Sequence, residues 1–447
     1  MTAPRGIETD AILSWGRTVR APQLAFAPSW RDELPATLQA AASARPGKGV
    51  LPIGLSRSYG DSNLNPDGAV VLTAALDRII AFDAATRLLR AEAGTSLAAL
   101  LEWLVPLGFF LPVTPGTRHV TLGGAVANDV HGKNHHGAGT FGRWVRAIGL
   151  LRSDGTELVL RPGDDLFDAT IGGLGLTGLI AWVEIELMPL GSSLVETEDT
   201  IFEDLDGFFR LAEASDSWEY TVAWVDCMAK GSALGRGIFS RGRHAPAGER
   251  RVHAPPRLLR VPFDAPGFAL NRFSVGAFNA LYLALGRRRA GRLRRVPYLP
   301  FFYPLDGIAG WNRLYGRSGF FQYQCVVPPE AAPGAMREML QAIAAAGQGS
   351  FLAVLKTFGA LRSPGLLSFP MPGTTLALDF PNRGAATLGL LARLDDITRA
   401  ARGRLYPAKD GRIPPDLFRA GYPDWERLAR HMDPHFSSAF WRRVSAA

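Results

Sequence analysis

The amino-acid sequence predicts an α+β protein of two domains. Its 447 residues are 47% hydrophobic, a composition typical of soluble chains that are long enough for two hydrophobic cores. From about residue 30 to residue 188, short strand-like and helical stretches alternate with glycine-rich loops. From about residue 192 to residue 402, longer strand-like runs are interspersed with helical patterns. This change of pattern divides the chain into residues 1–190, residues 191–402 and a C-terminal return at residues 403–447.

The first domain is predicted to consist of short elements. β-branched and apolar residues at 70–73 and 181–187 favour strands. Apolar residues at helical spacing favour a helix over residues 97–104, ahead of Pro106 and Gly108. This is an α+β pattern.

The second domain is predicted to contain an antiparallel sheet with helices on one face. The strand-like runs lie at residues 220–226, 320–327, 351–356 and 374–380, and the helical patterns lie at residues 334–346 and 385–402. After the second helix, the chain is expected to return to the first domain through residues 404–409.

Residues 114–136 form the most informative segment, because they hold four histidines, a lysine and four glycines. The paired glycines Gly123 and Gly124 let a backbone approach a ligand closely. Two further glycine-rich segments, residues 53–63 and 171–180, offer backbone N–H groups and small hydroxyls to an anion, as pyrophosphate-binding loops do. None of the three has Rossmann or P-loop spacing. For any one segment alone, a solvated polar loop is the alternative.

No metal site is predicted. The adjacent His135 and His136 would point to different faces of a helix or strand, and no set of acidic residues or cysteines at ligand spacing accompanies them. The two cysteines, Cys227 and Cys325, are too few for a disulfide framework and suit a reducing compartment.

In combination, three motifs resemble those of the vanillyl-alcohol-oxidase class of FAD enzymes. They are Gly54-x-x-Arg57-Ser58-Tyr59-Gly60-Asp61, Pro115-Gly-Thr-x-x-Val-Thr-x-Gly-Gly124 and Gly172-Gly-x-Gly-Leu-Thr-Gly178. Within that class, three further motifs resemble the decaprenylphosphoryl-β-D-ribose 2-oxidase family, the flavin half of an arabinose-forming epimerase. These motifs are His131-Gly-Lys-Asn-His-His136, Gln322-Tyr-Gln324 and Leu405-Tyr-Pro-Ala-Lys-Asp410. The resemblance implies a two-domain fold with an FAD-binding domain and an antiparallel-sheet substrate domain.

The resemblance also implies an FAD cofactor that is bound without a covalent link. Some relatives attach the flavin to a histidine in the Arg-Ser-x loop, but Tyr59 follows Arg57 and Ser58 here. The residues expected to bind FAD are Ile53, Gly54, Leu55, Ser56, Arg57, Ser58, Tyr59, Gly60, Asp61, Ser62, Gly116, Thr121, Leu122, Gly123, Gly124, Asn128, Asp129, Val130, His131, Ile180 and Tyr406.

Two residues are implied to be catalytic by their match to family positions, Lys409 and His131. A dry lysine has its pKa lowered by desolvation, which suits a base for a hydroxyl proton; a charged lysine that stabilises an alkoxide is the alternative. The residues expected to line the substrate pocket are Lys133, Trp224, Gln322, Gln324, Lys356 and Ala377. Trp224 could equally be a core residue. Characterised mycobacterial members have a cysteine where this chain has Ala377, so the covalent adduct with nitroaromatic inhibitors is not expected.

The positive charge of the chain is concentrated in residues 240–295. This segment has thirteen arginines and two acidic residues, a net charge of +11, whereas the whole chain has +8. Its second half, residues 268–285, is apolar and compatible with a helix, and arginines follow it. One interpretation is a core helix with a basic end; the other is an interfacial segment on an anionic membrane. No nucleic-acid-binding module is evident, so nucleic acid is not an expected partner.

These features together predict what the protein does and where. The resemblance implies oxidation of the 2-hydroxyl of a polyprenyl-phosphoryl pentose, followed by reduction by a short-chain dehydrogenase/reductase partner. The alternatives are an oxidase of a soluble polyol or sugar lactone, and a carrier of the lipid-linked sugar. No secretory signal or long apolar run is seen. We therefore expect a cytoplasmic protein that associates peripherally with the inner membrane.

Overall fold

A computed structural model describes residues 4–253 and 259–446. The N-terminal part of the chain begins with a four-stranded sheet. Its strands are β1 (Ile7–Thr9), β2 (Gln23–Phe26), β3 (Val50–Ile53) and β4 (Ala69–Leu72), in the spatial order β1-β2-β4-β3. The strands β2, β4 and β3 run parallel, and β1 pairs antiparallel with β2. Helix α1 (Leu34–Ala44) packs on this sheet through Leu34, Leu38 and Ala41.

A five-stranded antiparallel sheet completes the N-terminal part. Its strands are β5 (Ile79–Asp83), β6 (Leu88–Glu92), β8 (Val145–Leu151), β9 (Glu157–Leu160) and β10 (Leu179–Glu186), in the order β5-β6-β10-β8-β9. The two-residue strands β7 (Phe109–Phe110) and β11 (Met188–Pro189) pair beside it. The helices of this part are α2 (Leu97–Leu107), α3 (Leu122–Ala127), α4 (His135–Ala138) and α5 (Asp165–Thr170).

Helix α2 illustrates why the local sequence adopts its structure. Ser96 caps the N-terminus, where its side chain accepts a hydrogen bond from the backbone N–H of Ala99. The helix ends at Gly108, whose φ of 83° is the left-handed conformation that glycine adopts at little cost. The predicted helix at residues 97–104 is thus confirmed.

The second part of the chain forms one eight-stranded sheet. Its strands are β12 (Leu194–Phe202), β13 (Tyr220–Val225), β14 (Gly237–His244), β16 (Arg294–Pro297), β18 (Phe320–Val327), β19 (Ala353–Phe358), β20 (Gly373–Pro381) and β21 (Arg404–Leu405). The order is β16-β12-β14-β13-β19-β20-β18-β21, and every neighbouring pair is antiparallel. The predicted antiparallel sheet is therefore confirmed, including the four predicted strands.

Helices cover one face of this sheet, as the sequence predicts. They are α6 (Leu205–Ala214), α9 (Ala332–Ala346) and α10 (Ala385–Ala400), which bury residues such as Phe208, Met336, Leu340 and Leu394 in the largest hydrophobic core. The remaining helices are α7 (Arg272–Arg289), α8 (Tyr298–Phe302), α11 (Pro415–Gly421), α12 (Trp425–His431) and α13 (Ala439–Ser445). Short 3₁₀ helices lie at Arg31–Glu33, Phe141–Trp144, Gly231–Ala233, Pro304–Gly307 and Trp311–Tyr315.

The arginine-rich segment differs from its prediction in two respects. Residues 240–244 belong to the sheet strand β14, so the chain leaves the sheet only after His244. The predicted apolar helix is α7, which extends through Arg289 and so includes three of the arginines expected to follow it. Strand β15 (Leu259–Arg260) pairs in parallel with β17 (Ile308–Ala309). Arg257 lies outside the described residues.

Two further sequence expectations bear on the whole chain. Cys227 and Cys325 are both buried and free, as expected for a chain without a disulfide framework. Across residues 4–253 and 259–446, no helix has both the length and the apolar character needed to cross a membrane.

Candidate active site

One large cavity lies between the uncovered face of the eight-stranded sheet and the glycine-rich loops of the N-terminal part. Its volume is about 810 Å³, within the usual range for ligand and cofactor sites. The cavity is lined by both predicted catalytic residues, by all six predicted substrate-pocket residues and by seventeen of the predicted FAD residues. The structure therefore gathers residues that are nearly 360 positions apart in the sequence.

Four predicted FAD residues are not part of the cavity lining, and each packs against or bonds to another part of the protein. They are Gly60, Asp61, Leu122 and Asp129. A Cβ atom on Gly60 would lie 1.5 Å from the carbonyl oxygen of Asp410, so only glycine fits there. The Asp61 carboxylate accepts hydrogen bonds of 2.8 and 3.0 Å from Arg443 of α13.

Leu122 and Asp129 are also structural. Leu122 is fully buried in the core around α2. The Asp129 carboxylate accepts hydrogen bonds from the Gly142 backbone (2.7 Å) and the Ser368 hydroxyl (2.5 Å), and burial raises its pKa to about 6. The sequence motif thus mixes residues that face the cavity with residues that hold the loops in place.

The N-terminal lining of the cavity fits FAD. Ser62 Oγ and both polar side-chain atoms of Asn63 are buried beside the cavity and have no partner among the described residues. Buried polar atoms of this kind normally bind a partner, such as the hydroxyls and phosphates of a dinucleotide. Gly116 faces open space in the cavity, so the backbone there is accessible to a ligand. Asn63 was missed by sequence reasoning, although it directly follows the predicted loop.

His131 and Lys356 contact each other in the cavity lining. Lys356 Nζ lies 3.2 Å from His131 Nδ1, and the side-chain amide of Gln324 lies 3.1 Å from His131 Nε2. Burial lowers the pKa of His131 well below its ordinary value, and the charge of Lys356 lowers it further. The imidazole is therefore neutral, and it orients Lys356 and Gln324 rather than carrying charge.

Lys409 is buried at the same cavity, in the segment that returns from the sheet. Its ammonium nitrogen lies 3.8 Å from the centre of the Tyr59 ring. Burial lowers the pKa of Lys409 to about 7, while the charge of Asp379 opposes this effect. The Asp379 carboxyl is itself fully buried, accepts a 2.7 Å hydrogen bond from Gln322 and has a pKa raised to about 7 by burial. Asp379 was not among the predicted site residues.

Two more lysines share this environment. Burial lowers the pKa of Lys133 to about 7 and that of Lys356 to about 8. Lys133 Nζ contacts the carbonyl oxygen of Phe301 and lies 4.5 Å from the centre of the Phe301 ring. The cavity consequently holds three lysines that can change protonation state near neutral pH.

Strand pairing places the predicted substrate residues on one face of the sheet. Gln322 and Gln324 are two residues apart on β18 and so share a face. Ala377 pairs with Gln324 on one side and with Val354 on the other, and Val354 pairs with Trp224. Trp224 is half-buried at the cavity rather than in the core, and its indole N–H donates to the Phe351 carbonyl at 3.0 Å.

Sequence reasoning missed the residues at the far end of this face. Asp199 on β12 and Arg294 on β16 line the cavity and form a 2.6 Å ion pair. Tyr282 and Arg289 of α7 also line it. Thr197 and Asp199 are two residues apart on a strand, which could have indicated a polar face. The sequence alone does not show that this face borders the cavity.

Comparison with known proteins is consistent with this geometry. A family profile for an FAD binding domain matches residues 22–161. The chain is 38% identical over 98% of its length to the decaprenylphosphoryl-beta-D-ribose oxidase of Mycolicibacterium smegmatis, and the match covers 97% of that protein. It is also 38% identical to an uncharacterised protein of Streptomyces coelicolor, over 78% of this chain and 99% of the other. An alditol oxidase of a Streptomyces species is 27% identical over 28% of this chain.

Proposed function

Because the chain belongs to the decaprenylphosphoryl-β-D-ribose oxidase family, we propose that it oxidises the 2-hydroxyl of a polyprenyl-phosphoryl pentose to a ketone. The chain is an FAD-dependent oxidoreductase with a vanillyl-alcohol-oxidase-type fold. The observation that carries the proposal is the buried Lys409, whose pKa is about 7 and whose side chain lines the same cavity as the sugar-binding amides.

Lys409 is the group that takes the hydroxyl proton. The bound flavin supplies the acceptor for the hydride from the alcohol carbon. A lysine with a pKa of about 7 is half neutral at pH 7, so it can accept a proton without a large free-energy penalty. The neighbouring charge of Lys356 disfavours the charged form of Lys409, and the Asp379 carboxylate favours it.

Gln322 and Gln324 orient the sugar. Each amide can donate and accept a hydrogen bond, which suits hydroxyl groups. Gln322 is held by Asp379, and Gln324 by His131 and by Thr375 at 3.3 Å. Because both amides are fixed by buried partners, they present a defined geometry to the substrate.

The proposed product is a ketone, so a second enzyme would complete the reaction sequence. Reduction of this ketone from the opposite face would invert the carbon and give the epimer. A short-chain dehydrogenase/reductase is the partner that we propose for this step, since its chemistry is hydride delivery to a carbonyl.

We also propose that the protein associates peripherally with a membrane, through the outer face of α7. Only Val275, Asn279, Leu283 and Gly286 of this helix are buried. Four apolar residues of α7 are exposed: Phe273, Phe278, Leu281 and Leu285. The flanking segments add four more: Leu259, Phe263, Phe268 and Leu293. An exposed apolar surface of this kind supports an interfacial role rather than a core helix.

The arginines of this region support an anionic surface, although fewer are available than the sequence suggests. Six of the thirteen pair with carboxylates, chiefly those of β12 and the residue after it: Arg241, Arg243, Arg251, Arg287, Arg294 and Arg295. Among the described residues, Arg260, Arg272, Arg288 and Arg292 are without a carboxylate partner; Arg272 and Arg288 belong to α7, and the other two are in the segments before and after it. Each basic residue at an anionic membrane contributes about 1 kcal/mol.

Anaerobic mixing of the holoenzyme with a polyprenyl-phosphoryl ribose tests the proposed reaction. The flavin absorbance should bleach, and the sugar should lose two hydrogen atoms by mass spectrometry. A soluble alditol and a sugar lactone serve as controls. Faster bleaching by either one would favour the soluble-substrate oxidase, and binding without bleaching would favour a carrier.

Substitution of Lys409 tests its role as a base. Lys409→Met should retain FAD but reduce the flavin at least about 10²-fold more slowly, the usual effect of removing an acid–base group. In the wild type, the reduction rate should rise with pH through about 7, since the neutral amine accepts the proton. Lys409→Arg keeps a charge that cannot be lost, so it should be equally slow.

The exposed Lys230→Met variant controls for loss of a lysine. A Lys409→Arg enzyme with nearly wild-type rate would contradict the base assignment and favour a charged lysine that stabilises the alkoxide.

Liposome sedimentation tests membrane association. Phe273→Ser/Leu281→Ser should weaken binding to anionic liposomes, because these side chains are 72% and 60% exposed on α7. Leu388→Ser, at a 43% exposed position of α10, is the matched control.

Arg288→Ser/Arg292→Ser should weaken binding mainly at low salt, where charges are less screened. Equal sedimentation of all variants with anionic and neutral liposomes would contradict the proposed surface.

A further inference from the structure

One fully buried carboxyl group, that of Asp379, lies next to the cavity lining. Asp379 follows Ala377 by two residues on β20 and therefore shares its face of the sheet. Its strand partner is Gln322, which lines the cavity, whereas Asp379 itself does not. Any effect of this carboxyl group on a bound substrate must therefore pass through a neighbouring residue.

Aromatic side chains cover the carboxyl group of Asp379. The Tyr315 hydroxyl donates a 3.4 Å hydrogen bond to Asp379 Oδ2. The Tyr315 ring stacks on Phe320, with ring centres 4.2 Å apart, and Phe320 packs edge-to-face with Tyr59 at 5.5 Å. In the described part of the chain, no basic side chain forms an ion pair with Asp379. A carboxylate in such surroundings is costly to bury, and burial raises the pKa of Asp379 to about 7.

The shortest hydrogen bond of Asp379 fixes the amide of Gln322. Gln322 Nε2 donates to Asp379 Oδ1 at 2.7 Å. An ionised carboxylate only accepts hydrogen bonds, so it binds the NH₂ group of the amide and turns the amide carbonyl away from itself. Because Gln322 lines the cavity, its carbonyl oxygen is then available to accept a hydrogen bond from a sugar hydroxyl.

Asp379 also acts on Lys409, and the effect is mutual. Burial lowers the pKa of Lys409, the charge of Asp379 raises it, and the charge of Lys356 lowers it further. The pKa of Asp379 is raised by burial and lowered by the Gln322 hydrogen bond and by the charge of Lys409. Such reciprocity is expected of a buried cation and anion, because each charge favours the charged form of the other.

The other titratable groups in these surroundings do not supply negative charge near neutral pH. Burial raises the pKa values of Tyr59 and Tyr315 well above the ordinary value, so both phenols stay protonated. Burial lowers the pKa of His131 well below its ordinary value, so this imidazole is neutral. Among the described side chains that act on Lys409, only Asp379 contributes a negative charge.

We propose that Asp379 is a positioning residue of the oxidation: its carboxylate holds the Gln322 amide in one orientation for the sugar and favours the protonated form of Lys409. This inference rests on the proposed function, in which Lys409 takes the hydroxyl proton. That proton converts the Lys409 amine to an ammonium, and the nearby carboxylate stabilises the ammonium, while no bond is made or broken at Asp379. The negative charge therefore makes Lys409 a stronger base than burial alone would leave it.

The proton affinity of Lys409 can be measured without substrate, because the chain has only five lysines: Lys48, Lys133, Lys230, Lys356 and Lys409. NMR of the holoenzyme labelled with ¹³C at the lysine ε-carbons should give five resonances, and the one that is lost in Lys409→Met belongs to Lys409. In Asp379→Asn, the midpoint of the Lys409 titration should fall by about one pH unit, since the charge that favoured the ammonium is absent. An unchanged midpoint would overturn the electrostatic role of Asp379.

Asp199→Asn is the matched control for this titration. Asp199 lines the same cavity, but its charge acts on Lys133. The control variant should lower the titration midpoint of Lys133 and leave that of Lys409 unchanged. Equal shifts of the Lys409 midpoint in Asp199→Asn and Asp379→Asn would overturn a specific pairing between Asp379 and Lys409.

Two kinds of substitution separate the hydrogen bond of Asp379 from its charge. Asp379→Asn keeps a carbonyl oxygen for Gln322, whereas Asp379→Leu has nearly the same shape but offers no acceptor. The KM for the pentose should stay near the wild-type value in Asp379→Asn and rise about tenfold in Asp379→Leu, the effect of one lost hydrogen bond at a buried amide. Asp379→Ala, which also lacks an acceptor, should behave like Asp379→Leu. FAD released by acid reports whether each variant is folded. A wild-type KM in a variant that retains FAD but lacks the acceptor would overturn the orienting role.

The pH dependence of flavin reduction connects the titration with the chemistry. At low substrate concentration, this rate reports the protonation state of the free enzyme. In Asp379→Asn, its rise with pH should move to lower pH by the same amount as the NMR midpoint of Lys409, because the neutral amine is then populated at lower pH. A profile that does not move with the NMR midpoint would contradict an action of Asp379 through Lys409.

These outcomes separate the inference from the proposed function. If the pentose is oxidised but the Lys409 midpoint is the same in Asp379→Asn and the wild type, the charge pairing is wrong while the function stands. If the midpoint falls but the wild type oxidises no pentose, the charge pairing stands while the proposed function fails.

Discussion

The burial of three lysines around one cavity is the constraint on which the rest of this structure depends. An ammonium group removed from water is costly unless it is paired, so the protein lowers the pKa values of Lys133, Lys356 and Lys409 to about 7 or 8. The described carboxylates that act on them, Asp379 and Asp199, are too few to neutralise all three. The lysines are therefore partly neutral near pH 7, and an anion that enters the cavity favours their charged forms.

The fold keeps these lysines in place by tying distant parts of the chain together. Lys356 is on a central strand, Lys133 follows a glycine-rich loop and Lys409 is in the C-terminal return. Two backbone hydrogen bonds hold that return: Tyr406 N–H donates to the Gln324 carbonyl, and Tyr59 N–H donates to the Ala408 carbonyl, both at 2.9 Å. The close approach of Gly60 to Asp410 and the pairing of Asp61 with Arg443 brace the same junction.

The sequence predicts the architecture and much of the site because the relevant signals are local. Glycine spacing identifies the loops, and alternating apolar residues identify β13, β18 and β20. Local motifs do not distinguish Gly60 and Asp61, which brace the loop, from Tyr59, which faces the cavity. Asp379, Asp199 and Arg294 were not predicted because their roles depend on strand pairing over long sequence distances. Likewise, the positive charge of residues 240–295 is partly balanced by the carboxylates of β12. Counting the charges within that segment cannot show this pairing.

The α7 region connects the chemistry of the cavity to the proposed location of the substrate. Its inner side lines the cavity through Tyr282 and Arg289, and its outer side exposes apolar residues. A lipid-linked sugar could thus reach the lysines while its chain stays near the surface from which it came. In the proposed arrangement, the same helix would contribute to both substrate binding and surface attachment.

The most direct test of the central claim is the number of protons taken up when an anion binds. Farnesyl methyl phosphodiester has no group that titrates near neutral pH, so calorimetry in buffers of different ionisation enthalpy reports only the protein. At pH 8, Lys133 and Lys409 are mostly neutral, and a bound anion raises their pKa values. We predict uptake of about one proton at pH 8 and little uptake at pH 6, where these lysines are already charged. Binding without proton uptake at pH 8 would contradict the account.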